Sequence, residues 1–176
     1  MNKKIAYAIF QNRNTGRKLV YYPVAKNANS SAKLFFLKHL KIDKSYYFLS
    51  DKVPEYKINK DPKYINLDKK YNLVNFLPSY TPFEKIDVDE KCCIIRDPIK
   101  RFISAYKNRI LFHKDFGFQN LSIDEIIEKM ENKLFDNRHF LPQSYWLGSD
   151  LKYFTIVSNI SNMEIFINGV NNFFQS

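Results

Sequence analysis

Cysteine is nearly absent from this chain. Its 176 residues hold two, Cys92 and Cys93, adjacent in sequence. Neighbours in a strand point to opposite faces, so bridging them would need strained geometry. A disulfide framework and a cysteine-based zinc spacing are both excluded. Glycine is scarce at 4 residues, which excludes collagen-like and Gly-rich linker classes. No window approaches the ~20 apolar residues of a membrane span. The start, Met1-Asn2-Lys3-Lys4-Ile5-Ala6-Tyr7, leads into no long apolar core and does not read as a signal peptide. These absences point to a soluble, cytoplasmic protein in a reducing compartment. Acidic residues are also outnumbered: 18 Asp and Glu face 28 Lys and Arg, for a formal charge of +10. Such a surface favours a polyanionic partner, whether nucleic acid, a phosphorylated nucleotide, an anionic membrane or an acidic glycan. Charge alone does not choose among them, and Lys as a plain solubilising residue accounts for much of the excess.

What the chain does have is rings. Sixteen Phe and twelve Tyr, within a hydrophobic content of 45%, are ample for a packed core and exclude a disordered chain. The length suits a single domain over residues 1–176. Ile5 to Phe10 and Leu19 to Val24 read as strands, separated by a turn-rich stretch that permits a hairpin. Ser30 to Leu40 reads as a helix, capped near Ser30 or Ser31. Its apolar residues Leu34, Phe35, Phe36 and Leu37 go nearly all round, which predicts deep burial. Residues 51–70 read as a polar surface excursion, Tyr71 to Leu77 as a strand, and Pro78 and Pro82 as breaks. Lys91 to Ile95 is short and apolar, as a buried central strand should be. Asp97 is a good N-cap and Pro98 a good first helical residue. That helix is expected to run to about Leu111, with Ile99, Phe102, Ile103, Tyr106 and Ile110 on its buried face. Two capping boxes are expected, at Ser122-Ile123-Asp124-Glu125 and Ser161-Asn162-Met163-Glu164, with a strand at Tyr153 to Val157 between them. Strands alternating with helices give an α/β fold with a mainly parallel sheet.

Three constellations carry chemistry. The first is Pro23 to Ser31, between a strand and a helix. Free N–H groups at a helix start bind phosphate, and here Lys26 adds a point charge while Ser30 and Ser31 add hydroxyls. It is not a Walker A loop, and an ordinary capped helix with a surface Lys fits the same residues. The second is Arg96 to Tyr106. Arg96 stands at a strand's carboxyl end, where α/β sheets bind ligands. Asp97, Arg101, Ser104 and Asn108 share a polar face, so a forked Arg96 and the Ser104 hydroxyl can grip one phosphate. The plainer reading makes Asp97-Pro98 a helix start and Arg101 a solvated charge. The third is Asn137 to Trp146, where His139 is either a general base or a structural loop histidine. His39 and His113 have no such context.

Together the three segments resemble the sulfotransferases that use 3′-phosphoadenosine 5′-phosphosulfate (PAPS), and within them the carbohydrate branch of heparan and chondroitin sulfotransferases. Lys26-Asn27-Ala28-Asn29-Ser30-Ser31 is similar to the branch's 5′-phosphosulfate loop. Arg96 to Tyr106 matches Arg-Asp-Pro-x-x-Arg-x-x-Ser-x-Tyr at every fixed position, and Asn137 to Gln143 matches Asn-x-His-x-x-Pro-Gln. The resemblance implies a P-loop-kinase-like sandwich, with residues 26–31 holding the phosphosulfate and Arg96 and Ser104 holding the 3′-phosphate. It implies sulfuryl transfer to an acceptor hydroxyl on a glycan, with no metal and no nucleic acid involved. Lys26 takes the electrostatic role at the leaving oxygen and His139 the role of base. Relatives acting on heparan place a catalytic His ahead of Arg-Asp-Pro, but residues 72–90 contain none. A Glu near the start of a late helix is common in the branch and Glu164 fits, although its capping box accounts for it without catalysis. The competing class is a basic nucleic-acid-binding module using charge and aromatic stacking, but no recognition motif is visible. A nucleotide kinase is opposed by the missing Walker A sequence.

Overall fold

The computed structural model describes residues 7–12, 14–39, 73–77, 83, 85–115, 117–132 and 137–176. The expected surface excursion at 51–70, the breaks at Pro78 and Pro82, and the outer ends of the first strand and first helix lie outside the described residues.

Among the described residues, five strands form one sheet in the order β3-β1-β2-β4-β5. They are β1 (Tyr7–Gln11), β2 (Lys18–Tyr22), β3 (Leu73–Leu77), β4 (Glu90–Ile95) and β5 (Ile156–Asn159). β1 and β2 form the expected hairpin, antiparallel with Ile9 opposite Val20. Its turn is shaped by Asn12, whose Oδ1 accepts from the amides of Asn14 at 2.8 Å and Thr15 at 3.3 Å. Asn12 Nδ2 also donates to Phe173 O at 2.6 Å, fastening the turn to the last helix. The sheet is less parallel than expected. β2–β4 and β4–β5 pair in parallel, while β1 is antiparallel to both β2 and β3. A connection as short as that between Gln11 and Lys18 permits only antiparallel pairing.

β4 is the central strand of the parallel half, with Cys92, Cys93 and Ile94 at 1% exposure or less. Cys92 and Cys93 are free thiols, one on each face. Cys92 packs with Phe10, Leu19, Tyr21, Phe36, Phe166 and Val170. Cys93 packs with Val20, Tyr22, Trp146, Leu147 and Phe154. Helices therefore cover both faces. α1 (Asn29–His39) and α5 (Glu164–Gln175) lie on one, and α4 (Gln143–Leu147) on the other. Among the described side chains of α1, Ala32 and Phe36 are buried and Leu34 is exposed, so the helix is not buried all round, contrary to expectation.

α2 (Pro98–Ala105) opens as its sequence demands, with Asp97 Oδ1 accepting from the Lys100 amide at 2.8 Å and Pro98 in the first turn. It continues into a π-helix over Tyr106–Phe112. Arg101 takes the inward face of α2, held by the carbonyls of Ala25 and His139, and across the wider turn the next inward position after Ala105 is Ile110. Arg101, Ala105 and Ile110 face inward, whereas Ile99 is 71% exposed and Ile103 is also exposed. The expected apolar face at Ile99 and Ile103 is thus corrected. α3 (Ile123–Glu131) has the expected capping box, with Ser122 and Glu125 exchanging bonds. The second box does not form. Ser161 Oγ bonds Asn159 Oδ1 at 2.9 Å, and α5 starts behind Met163 without a side-chain cap. The strand expected at Tyr153 begins three residues later, because Leu151–Tyr153 forms a 3-10 turn capped by Asp150.

Candidate active site

β2 and β4 run in parallel as neighbours, so their carboxyl ends lie side by side. The loop from Pro23 to Ala28 leaves one end and Arg96 leaves the other. The loop is sharply folded: Lys26 has φ 69° and Ala28 has φ 55°. Side chains rarely adopt this left-handed region, and such residues persist where their surroundings hold them. Asn27, between them, is fully buried and donates to Ile94 O at 2.8 Å and to Gln143 Oε1 at 2.5 Å. Lys26 Nζ donates to Asn108 Oδ1 in the π-helix. Its pKa is pushed down, first by burial and then by the Arg109 charge, while Asp115 opposes the shift.

Arg96 joins the two loops. One guanidinium nitrogen donates to Lys26 O at 2.9 Å, while its Nε is buried and has no partner among the described residues. Arg96 and Ser104 line one open cavity of about 530 Å³ with Lys100, Ile103, Lys107, Asn108 and Phe112. The structure thus brings Arg96 and Ser104 to the same cavity. Lys100, Lys107 and Phe112 were not anticipated, although both lysines follow from the spacing of Ser104's helix face.

Arg101 is not the solvated charge, nor a member of an exposed polar face. It is 4% exposed, with Nε donating to Ala25 O at 3.0 Å and a second nitrogen to His139 O at 3.2 Å. Burial, with help from the Arg96 charge, pushes its pKa down to about 10, so it remains protonated at neutral pH. Arg101 thereby clasps the Lys26 loop to the His139 segment.

His139 lies off the cavity's lining, among charges. Burial first, then Arg109 and Lys26, push its pKa down to about 4. Its Nδ1 is buried and has no partner among the described residues. Its amide donates to Asn137 Oδ1 at 3.1 Å, and Asn137 Nδ2 donates to Asp115 at 2.9 Å. Asp115 also accepts both prongs of Arg109, at 2.7 and 2.5 Å. The Arg109–Asp115 pair lies outside the three sequence segments and left no signal in spacing. Ser30 and Ser31 sit exposed in the first turn of α1 and do not line the cavity. In that turn the backbone amides have no partner within the helix.

Chemically, this is a cationic edge: a lysine and an arginine on adjacent loops, an open basic cavity, and a neutral histidine behind them. Such an edge has the charge to attract a multiply charged anion. Among the described residues no helix is long and apolar enough to cross a membrane. No curated protein and no solved structure matches the chain. A family model described as the sulfotransferase family matches residues 11–167 and takes in all three segments, and the chain belongs to that family.

Proposed function

We propose that the protein transfers a sulfuryl group from PAPS to an acceptor hydroxyl on a carbohydrate, on a P-loop-kinase-like α/β scaffold. The observation that carries this reading is the convergence of Lys26, Arg96 and Ser104 at the carboxyl edge of β2 and β4. A buried arginine Nε with no partner among the described residues, on a side chain lining a cavity with two further lysines, fits an anionic ligand. Arg96 and Ser104 would hold the 3′-phosphate. Residues Lys26, Asn27, Ala28, Asn29, Ser30 and Ser31 would hold the 5′-phosphosulfate, with the first amides of α1 contributing their free N–H groups. PAPS, when bound, supplies the sulfuryl group and a bisphosphate leaving group.

Lys26 contributes a compact positive charge in the loop, where charge on a departing oxygen is best met. Its bond to Asn108 holds the ammonium in place. His139 is assigned as the base. With a pKa of about 4 it is neutral at physiological pH and free to take a proton. The same shift makes it a weaker acceptor than an ordinary imidazole, so the proton should leave the hydroxyl as the new bond forms. The test is thermal shift on the wild-type chain. Stabilisation by adenosine 3′,5′-bisphosphate, but not by ATP or an oligonucleotide, supports the reading. Stabilisation by the oligonucleotide alone would assign the basic edge to nucleic acid.

A further inference from the structure

We propose that Gln143 is a positioning residue for sulfuryl transfer, tying the Lys26 loop to the strand end that carries Arg96. The proposal rests on the reading of those two residues given above. Gln143 Oε1 accepts from the Arg96 amide at 2.9 Å and from Asn27 Nδ2 at 2.5 Å, and Gln143 Nε2 donates to Arg96 O at 2.7 Å. One side-chain amide thus satisfies both backbone groups of Arg96 and reaches across to Asn27.

The loop depends on this contact. Asn27 stands between two residues in left-handed backbone, and its amide nitrogen is divided between Ile94 O and Gln143. Without Gln143, the side-chain nitrogen of the buried Asn27 keeps only its tether to β4. Arg96 loses the fix on its backbone and keeps the guanidinium bond to Lys26 O. Both elements would then move relative to each other, and misplacement by about 1 Å is worth on the order of 10² in rate. Arg101 braces the same segment through His139 O, so the chain on either side of Pro142 is held at both ends. Only glutamine has the donor and acceptor side by side at this reach. Glutamate keeps the acceptor and loses the donor, and leucine loses both.

The test compares wild type with Gln143→Glu and Gln143→Leu as full chains, following transfer of labelled sulfate from PAPS and thermal unfolding together. At pH 8, Gln143→Glu should lose about 10²-fold in kcat/KM. It should regain part of that loss relative to wild type as the pH falls through the titration of the new carboxyl, because the protonated form again offers an O–H donor to Arg96 O. A folded Gln143→Glu protein with wild-type kcat/KM, or one whose deficit does not change once its carboxyl is protonated, overturns the positioning role. A double-mutant cycle of Asn27→Ala and Gln143→Leu on unfolding needs no nucleotide. Destabilisations well short of additive support the link, and additive ones overturn it. A wild type that neither binds nor turns over PAPS sinks the functional reading and the positioning role with it, while the cycle still decides whether the link exists.

Discussion

The guanidinium of Arg96 donates to the backbone oxygen of Lys26 at 2.9 Å, across 70 residues of sequence. The two cations therefore belong to one unit. The carbonyl offsets part of their mutual repulsion, and Asn108 holds the Lys26 ammonium from the other side.

That relationship shapes the first prediction. Arg96→Ala should weaken binding of adenosine 3′,5′-bisphosphate by ~1.5–3 kcal/mol, the range for a hydrogen bond to a charged group. Adenosine 5′-phosphate should lose less, and lose something, because Lys26 O is left without its donor. Ser104→Ala touches no such bond and should cost the bisphosphate a smaller amount with the monophosphate unchanged. Titration calorimetry on both ligands checks this. Equal losses for both ligands would give Arg96 a purely structural role.

His139 sets a pH dependence. Its pKa falls from 6.5 to about 4, chiefly through burial. If it is the base, the acidic limb of kcat should lie near 4, and activity should stay flat through the range where an ordinary imidazole titrates. The stability sign follows. Between about 4 and 6.5 the unfolded chain binds the proton more readily, so His139's contribution to stability is complete above 6.5 and declines as the pH falls toward 4. His139→Ala should cut turnover by ~10²–10⁴ with bisphosphate affinity nearly intact. A mutant keeping full turnover would leave His139 as a loop histidine.

The local chemistry of the fold was legible in the sequence. Asp97-Pro98 opens α2, Ser122 and Glu125 form their box, and β4 is buried on both faces as its apolar run demands. Arg96 and Ser104 could be paired because eight residues of strand end and helix fix their separation. What failed depended on contacts that composition and spacing do not display. Arg101 looks like a surface charge until the carbonyls of Ala25 and His139 are brought to it. Ser161 finds Asn159 before it can cap a helix. The π-helix has no periodic signature, yet it carries Asn108 to Lys26 and Arg109 to Asp115. Gln143 showed only as the end of a Pro-Gln pair, and its contact with Asn27 spans 116 residues.

Arg101 gives a stability prediction. Arg101→Leu leaves the carbonyls of Ala25 and His139 buried without their donor, and should destabilise the fold by about 1–3 kcal/mol in urea unfolding. Arg101→Lys should recover little, because one ammonium does not reproduce a planar fork that serves two acceptors. A stability within 0.5 kcal/mol of wild type, the scale of ordinary surface changes, would mean the clasp contributes nothing.

Lys26 bears the central claim. Charge grows on the departing oxygen as the sulfur–oxygen bond breaks, so an ammonium there gains most in the transition state, and only such differential interactions raise turnover. The decisive measurement is transfer of labelled sulfate from PAPS to a panel of glycan acceptors, with wild type beside a folded Lys26→Ala protein. The proposed mechanism predicts transfer by wild type and a loss of ~10²–10³ in turnover for Lys26→Ala, with a much smaller change in affinity for adenosine 3′,5′-bisphosphate. Near-normal turnover in Lys26→Ala, or no transfer by wild type, would contradict it.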